Sequence, residues 1–285
     1  MNIIRTENLT HIYGQSTPFE KTAVDNVNVE INEGEFIGVI GHTGSGKSTF
    51  IQHLNGLLKP TSGKIYFKGE DIWQKKYSRH KLRFNVGLVF QYPEYQLFEE
   101  TVEKDIGFGP HNMGLSESEI KERVLWAISI VGLDESILQS SPFDLSGGQK
   151  RRVAIAGILA MKPGVLILDE PTAGLDPLGR DEILSRIEAY HKSENATVML
   201  VSHNMEDIAR FSDRVLVIQN AKVAMFDETK KVFAHSEELL DMGLDVPQIT
   251  GIFMKLRKHG YDVDTSVYSP VGARKEILRY MKRND

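Results

Sequence analysis

Gly41-His42-Thr43-Gly44-Ser45-Gly46-Lys47-Ser48 decides how this chain folds. The spacing G-x-x-x-x-G-K-[ST] is that of a phosphate-binding loop. Its glycines let the backbone turn tightly, so that successive N–H groups face phosphate oxygens. The N-terminus of the helix that follows adds partial positive charge. Lys47 is placed to reach the β- and γ-phosphates, and the Ser48 hydroxyl suits Mg²⁺, which takes oxygen ligands. Gly41 to Ser48, with Thr49, form the candidate nucleotide site. The flanks fit this reading. Phe36-Ile37-Gly38-Val39-Ile40 reads as a strand buried on both faces. After the loop, Phe50, Ile51, Leu54, Leu57 and Leu58 sit at helical spacing, and Pro60-Thr61-Ser62-Gly63 closes that helix.

Further along, the four apolar residues Val165 to Leu168 end at Asp169-Glu170. On a buried strand beside the loop, Asp169 would bind Mg²⁺ and Glu170 would polarise the attacking water as general base. Val27, Val29 and Ile31 alternate with polar residues, as in a half-buried strand. From about Gln91 to Met161 the pattern turns helical. Ser116 with Glu119 resembles a helix start, with Ile120, Val124, Ala127, Ile128 and Val131 in phase behind it. Ser146 caps a second helix whose inner face carries Val153, Ala156 and Leu159. This stretch is expected to be a helical subdomain inserted into an α/β core. The core resumes with a helix around Ile183 to Tyr190, a strand Thr197 to Val201 and a hairpin formed by Val215 to Ile218 and Val223 to Phe226. Helices starting near Gln248 and at Gly272 close the sequence, which divides into 3–246 and an extension at 247–285.

Leu145-Ser146-Gly147-Gly148-Gln149 narrows the class. A serine hydroxyl and glycine N–H groups at a helix start make a second anion site. This stretch resembles the signature of ATP-binding cassette (ABC) proteins, and the other motifs of that family stand in the same order from Ile3 to about Phe226. Gln91 looks like the glutamine that senses Mg²⁺, Ala173-Gly174-Leu175-Asp176 like the segment carrying the interface aspartate, and His203 like the histidine that contacts the γ-phosphate. Tyr13 looks like the aromatic residue that stacks on adenine, with Phe19 as its competitor. The resemblance implies an α/β P-loop NTPase: an ABC cassette with a RecA-like core, an N-terminal antiparallel β subdomain, an inserted helical subdomain and a short C-terminal helical extension. It implies ATP and Mg²⁺ as ligands. It also implies that Ser146, Gly147, Gly148 and Gln149 act on the ATP of a second cassette, so that the chain alone is nearly inert.

Gln91-Tyr92-Pro93-Glu94-Tyr95-Gln96-Leu97-Phe98, with Thr101 to Pro110, resembles the ATPases of energy-coupling factor (ECF) importers. Gln52 to Pro60 and Thr17-Pro18-Phe19-Glu20 resemble the second of their two ATPase types. The resemblance implies a second ATPase subunit as partner, a transmembrane coupling protein and an exchangeable substrate-binding membrane protein. The expected location is peripheral, on the cytoplasmic face of the cell membrane. Docking onto the coupling protein is expected in a groove lined by Tyr92, Glu94, Tyr95, Leu97 and Phe98, with the carboxylate pairing a basic residue. Another ABC importer subunit and a soluble non-transport ABC ATPase are the alternatives, and homodimer versus heterodimer stays open.

Bulk properties agree. The 285 residues are 41% hydrophobic and 26% charged, ordinary for a globular protein. A net charge of -5 gives no global field for nucleic acid, which is not expected as a partner. The absence of cysteine rules out disulfides and thiolate metal sites. Residues Met1 to Glu7 do not read as a signal peptide, and the apolar runs are too short to span a bilayer.

Overall fold

The alternation at Val27, Val29 and Ile31 becomes one strand of an antiparallel sheet. In the computed structural model, which describes residues 2–284, β1 (Asn2–Tyr13) and β2 (Lys21–Asn32) pair antiparallel, and β3 (Phe36–Ile40) leads into the phosphate loop and α1 (Lys47–Leu54). β4 (Ser62–Phe67), β5 (Glu70–Asp71), α2 (Arg79–Asn85) and β6 (Val86–Val89) follow. Then come α3 (Val102–Asn112), α4 (Glu117–Ile130) and α5 (Gly147–Leu159). The core returns with β7 (Val165–Asp169), α6 (Pro177–Glu194), β8 (Thr197–Val201), α7 (Met205–Phe211) and the hairpin β9 (Arg214–Gln219) and β10 (Lys222–Glu228). Last are α8 (Thr229–Ala234), α9 (Ser236–Asp241), α10 (Gln248–Lys258) and α11 (Pro270–Asn284).

The first sheet has the order β2-β1-β4-β5 and is antiparallel. The second has the order β10-β9-β3-β8-β7-β6, parallel except for β10. Every residue of β3, β6, β7 and β8 is buried, as expected of parallel strands covered on both faces. Alternate residues serve two cores. Phe36, Ile40, Leu166, Leu168, Val198 and Leu200 pack with the helices α3 to α7. Ile37, Val39, Val165, Ile167, Met199 and Val201 pack with α1 and the antiparallel sheet.

Register fixes where function can lie. Val39 and Asp169 both pair with Val201, and Val89 pairs with Leu168. The C-terminal ends of β3, β6, β7 and β8 therefore share one edge of the sheet, which is where open α/β sheets bind ligands. α3, α4 and α5 form the connection between the neighbouring strands β6 and β7.

Two expectations about helix ends need correction. α1 stops at Leu54 rather than running through Leu58, because Gly56 takes a left-handed φ of 68° and Leu57 turns out to solvent. α11 begins at Pro270, not Gly272; the ring suits a helix's first turn, and Ser269 Oγ accepts from Gly272 N at 3.2 Å. Beyond β10, Phe253, Val263 and Val267 make a small core of their own. It is tied back to the main body by the stack of Phe233 on Tyr268 and by Gln248 N donating to Glu206 Oε1 at 2.8 Å. Among the described residues no helix is long and apolar enough to cross a membrane.

Candidate active site

The loop after β3 takes its shape from close backbone packing. Gly46, at φ 109°, stands where a Cβ would lie 2.0 Å from the Ala23 carbonyl oxygen, and at Gly41 a Cβ would lie 2.2 Å from that of Ile218. No side chain fits at either position. Lys47 is buried, and its ammonium donates to the carbonyls of Gly41 at 2.6 Å and His42 at 3.0 Å. Burial lowers its pKa, opposed by the nearby Glu170 and Asp169. The Ser45 hydroxyl is buried without a hydrogen-bond partner. A buried polar group in that state is costly unless a ligand completes it.

A cleft of about 290 Å³ opens over the loop, lined by Thr43, Gly44, Gly46, Lys47, Ser48 and Thr49 from this segment. Gln91, Asp169, Glu170 and His203 face the same cleft from the ends of β6, β7 and β8. Asp169 is hydrogen-bonded to Ser48, and burial raises its pKa. Glu170 sits at a left-handed φ of 51°, in a conformation that costs a non-glycine residue energy and is found at functional sites. Burial, then the adjacent Asp169, pushes its pKa up to about 7. Its Oε1 has no hydrogen-bond partner, with His203 Nε2 3.3 Å away. Burial, then the Lys47 charge, lowers the pKa of His203, opposed by Asp169.

Tyr13 lines the cleft, whereas Phe19 is 87% exposed in the turn beyond it and does not. Lys21 and Ala23 also line it, and neither stood out in the sequence. Their signal was the pairing of Tyr13 with Lys21, which only the fold reveals.

The signature lies apart from this cleft. Ser146 caps α5 by accepting from Gln149 N at 3.3 Å, while Gln149 Oε1 accepts from Ser146 N at 3.0 Å. Ser146 and Gly147 are exposed, and Cβ atoms built at Gly147 or Gly148 would meet open space. Asp176 caps α6, accepting from Gly179 N at 2.9 Å.

The five residues expected to line a docking groove do not share one groove. A groove of about 450 Å³ is lined by Leu57, Phe84, Phe90, Leu97, Phe98 and Phe108, among others. Leu97 and Phe98 belong to it; Tyr92, Glu94 and Tyr95 do not. Glu94 is engaged within the chain, its two oxygens accepting from Arg151 Nε at 3.0 Å and Nη2 at 2.6 Å. The guanidinium also lies 5.8 Å from the Tyr92 ring, and Nη1 donates to the Ala173 carbonyl at 2.6 Å. The same arginine thus joins α5, the turn after Gln91 and the segment after Glu170. The carboxylate bordering the groove is Asp105, which accepts from the N–H groups of Phe98 and Glu99.

Together the phosphate loop, the acidic strand end and the exposed, capped start of α5 define a P-loop ATPase. The ABC transporter family matches residues 24–173. The energy-coupling factor transporter ATP-binding protein EcfA2 of Clostridium tetani is 57% identical over 277 residues, covering 97% of this chain and 96% of that protein. The structure of cbiO1 from Clostridium perfringens, part of the ABC transporter complex cbiONQ, aligns with a TM-score of 0.75 at 37% identity, covering 91% of this chain and 97% of the other. A dimeric post-hydrolysis state of the ATP-binding cassette MJ0796, bound to ADP and Pi, aligns with a TM-score of 0.70 at 28% identity over 79% of this chain and 98% of the other. The chain belongs to the ABC transporter family and, within it, to the energy-coupling factor transporter ATP-binding proteins of the EcfA2 type.

Proposed function

We propose that the chain binds and hydrolyses ATP at a site completed by a second cassette, and that this cycle drives an ECF-type importer of vitamins or other micronutrients. The observation that carries the reading is a separation. The phosphate loop, Asp169, Glu170 and His203 line one cleft, whereas the capped start of α5 is exposed and outside it. Each chain then supplies half of two sites, and Ser146 to Gln149 contact the partner's nucleotide.

Ser48, Gln91 and Asp169 offer oxygen atoms within one cleft, a donor set that suits Mg²⁺. Bound there, the ion would neutralise phosphate charge. Lys47 exchanges its contacts with the Gly41 and His42 carbonyls for phosphate oxygens. Glu170, with Oε1 unpartnered, takes the proton from the attacking water, and His203 donates to the γ-phosphate. Tyr13 stacks on the base.

The apolar groove beside Phe98 and Phe108 receives a helix of the transmembrane coupling protein, which holds an exchangeable substrate-binding protein. The second ATPase subunit covers the exposed apolar side chains Ile277, Leu278 and Met281 of α11. The chain works at the cytoplasmic face of the membrane through these partners. Affinity purification from the native membrane tests this reading. Co-elution of another cassette and a polytopic membrane protein is expected; recovery of ribosomal proteins or DNA in their place would contradict it.

A further inference from the structure

Four side chains form a closed circuit beside the cleft. Tyr13 ends β1 and is 43% exposed, so the core does little to hold its ring. His11, two residues earlier and on the same face of the strand, meets that ring edge to face with centroids 4.5 Å apart at 74°. His11 Nδ1 is 3.1 Å from Nε2 of His53 and 3.2 Å from the Lys59 carbonyl oxygen. His53, fully buried on α1, has its Nδ1 2.7 Å from the Thr49 carbonyl oxygen. Thr49 Oγ1 closes the circuit at 3.3 Å from the Tyr13 hydroxyl.

The chemistry of the partners assigns the protons. A carbonyl oxygen only accepts, so Nδ1 of His53 carries hydrogen and donates to Thr49. In the neutral ring Nε2 then accepts, and burial favours that form, with the pKa pushed down to about 4. His11 Nδ1 faces two acceptors, the Lys59 oxygen and the His53 lone pair, so it carries hydrogen and donates to both. The circuit runs with one consistent polarity from β1 to the helix that begins with Lys47 and Ser48.

We infer that His11 and His53 are positioning residues for the nucleotide base: they fix the Tyr13 ring relative to the phosphate-binding helix, so base and phosphates are held by one rigid unit. This rests on the reading of Tyr13 as the base-stacking residue. Without His11 the ring keeps its hydroxyl contact with Thr49 but loses this edge-to-face support, and stacking must then bear more of the cost of ordering the side chain.

The test is equilibrium binding of Mg-ATP and of Mg-triphosphate, which lacks base and ribose, to the full chain and its variants. His11→Ala and Tyr13→Ala are each expected to weaken ATP binding about threefold to tenfold, the size of one aromatic edge contact. Triphosphate binding is expected to stay within about twofold in both. If His11→Ala does not fold, His11→Asn keeps an N–H at the Nδ1 position without the ring and carries the same expectation. Tyr13→Ala weakening ATP while His11→Ala binds normally would overturn the inference alone. Equal loss of ATP and triphosphate in His11→Ala would also overturn it, since a general disturbance of the loop explains that result. Unchanged ATP affinity in Tyr13→Ala would overturn the base-stacking reading itself, and the inference with it.

Discussion

Replacing Glu94 with alanine removes one partner of a buried ion pair. The side chains of Arg151 and Glu94 are only 4% and 14% exposed, and two hydrogen bonds join them. Stranding one member of such a pair costs about 3–5 kcal/mol. Here the carbonyls of Pro171 and Ala173 continue to accept from Nη1, so the remaining charge keeps part of its solvation. The expected loss is therefore near the lower end, about 3 kcal/mol. For a chain of this size that corresponds to a fall in Tm of about 6–12 °C. Scanning calorimetry of Glu94→Ala, Arg151→Met and the double variant measures it. The double variant should be more stable than the sum of the singles implies by about 2 kcal/mol. A Tm change under about 1 °C for Glu94→Ala, or strict additivity, would show that the pair contributes no coupled stability. The pair also bears on docking. Glu94→Arg would set two guanidinium groups against each other inside the protein, so its effect on partner binding would report a disturbed turn rather than a lost intermolecular contact.

Other expectations follow from the same geometry. Glu170→Gln should lower ATP turnover of the assembled transporter by at least about 10²-fold while ATP stays bound, measured by phosphate release and nucleotide retention; normal turnover would remove Glu170 as the base. Phe98→Asp should place a charge in the apolar groove and reduce recovery of the membrane partner in a pull-down, with ATP affinity unchanged; undiminished recovery would place docking elsewhere. Gly243 takes φ 71° with His42 Nε2 2.6 Å from where a Cβ would stand, so Gly243→Ala should cost about 1–2 kcal/mol in thermal unfolding. His53 has its pKa pushed down to about 4 from 6.5, so the unfolded chain binds its proton first. Its contribution to stability is therefore lost as pH falls from about 6.5 to about 4, at about 1.4 kcal/mol per pH unit. Burial raises Glu170 to about 7 and Asp207 to about 6, and their protonation favours the fold over the same window with the opposite sign, so the difference between the denaturant titrations of the wild type and His53→Gln is what should show this slope; identical pH profiles would contradict it.

The cleft half of the candidate site was legible because its motifs are local in sequence. Gly41 to Ser48 and Asp169-Glu170 declare themselves by residue type and spacing, and parallel pairing of buried strands brings them to one edge. The signature was legible for the same reason, as a capped helix start. Contacts between distant segments were not. Glu94 reads as a carboxylate awaiting a partner's basic residue, whereas α5 folds Arg151, 57 residues further along, against it. His11 and His53 carry no motif, and only the antiparallel sheet lying over α1 brings them together. The end of α1 was misread because Leu57 and Leu58 kept the apolar period past the point where Gly56 had turned the backbone.

The phosphate loop of one chain and the signature of another are proposed to make one working site. The most direct test is the rate of ATP hydrolysis per chain, measured on the strictly monomeric protein and again after addition of the cassette that co-purifies with it. Near-background turnover is expected for the monomer, with a rise of at least about 10²-fold on pairing and loss of the partner-site contribution in Ser146→Arg. Full turnover by the monomer, unchanged by the partner or by Ser146→Arg, would contradict it.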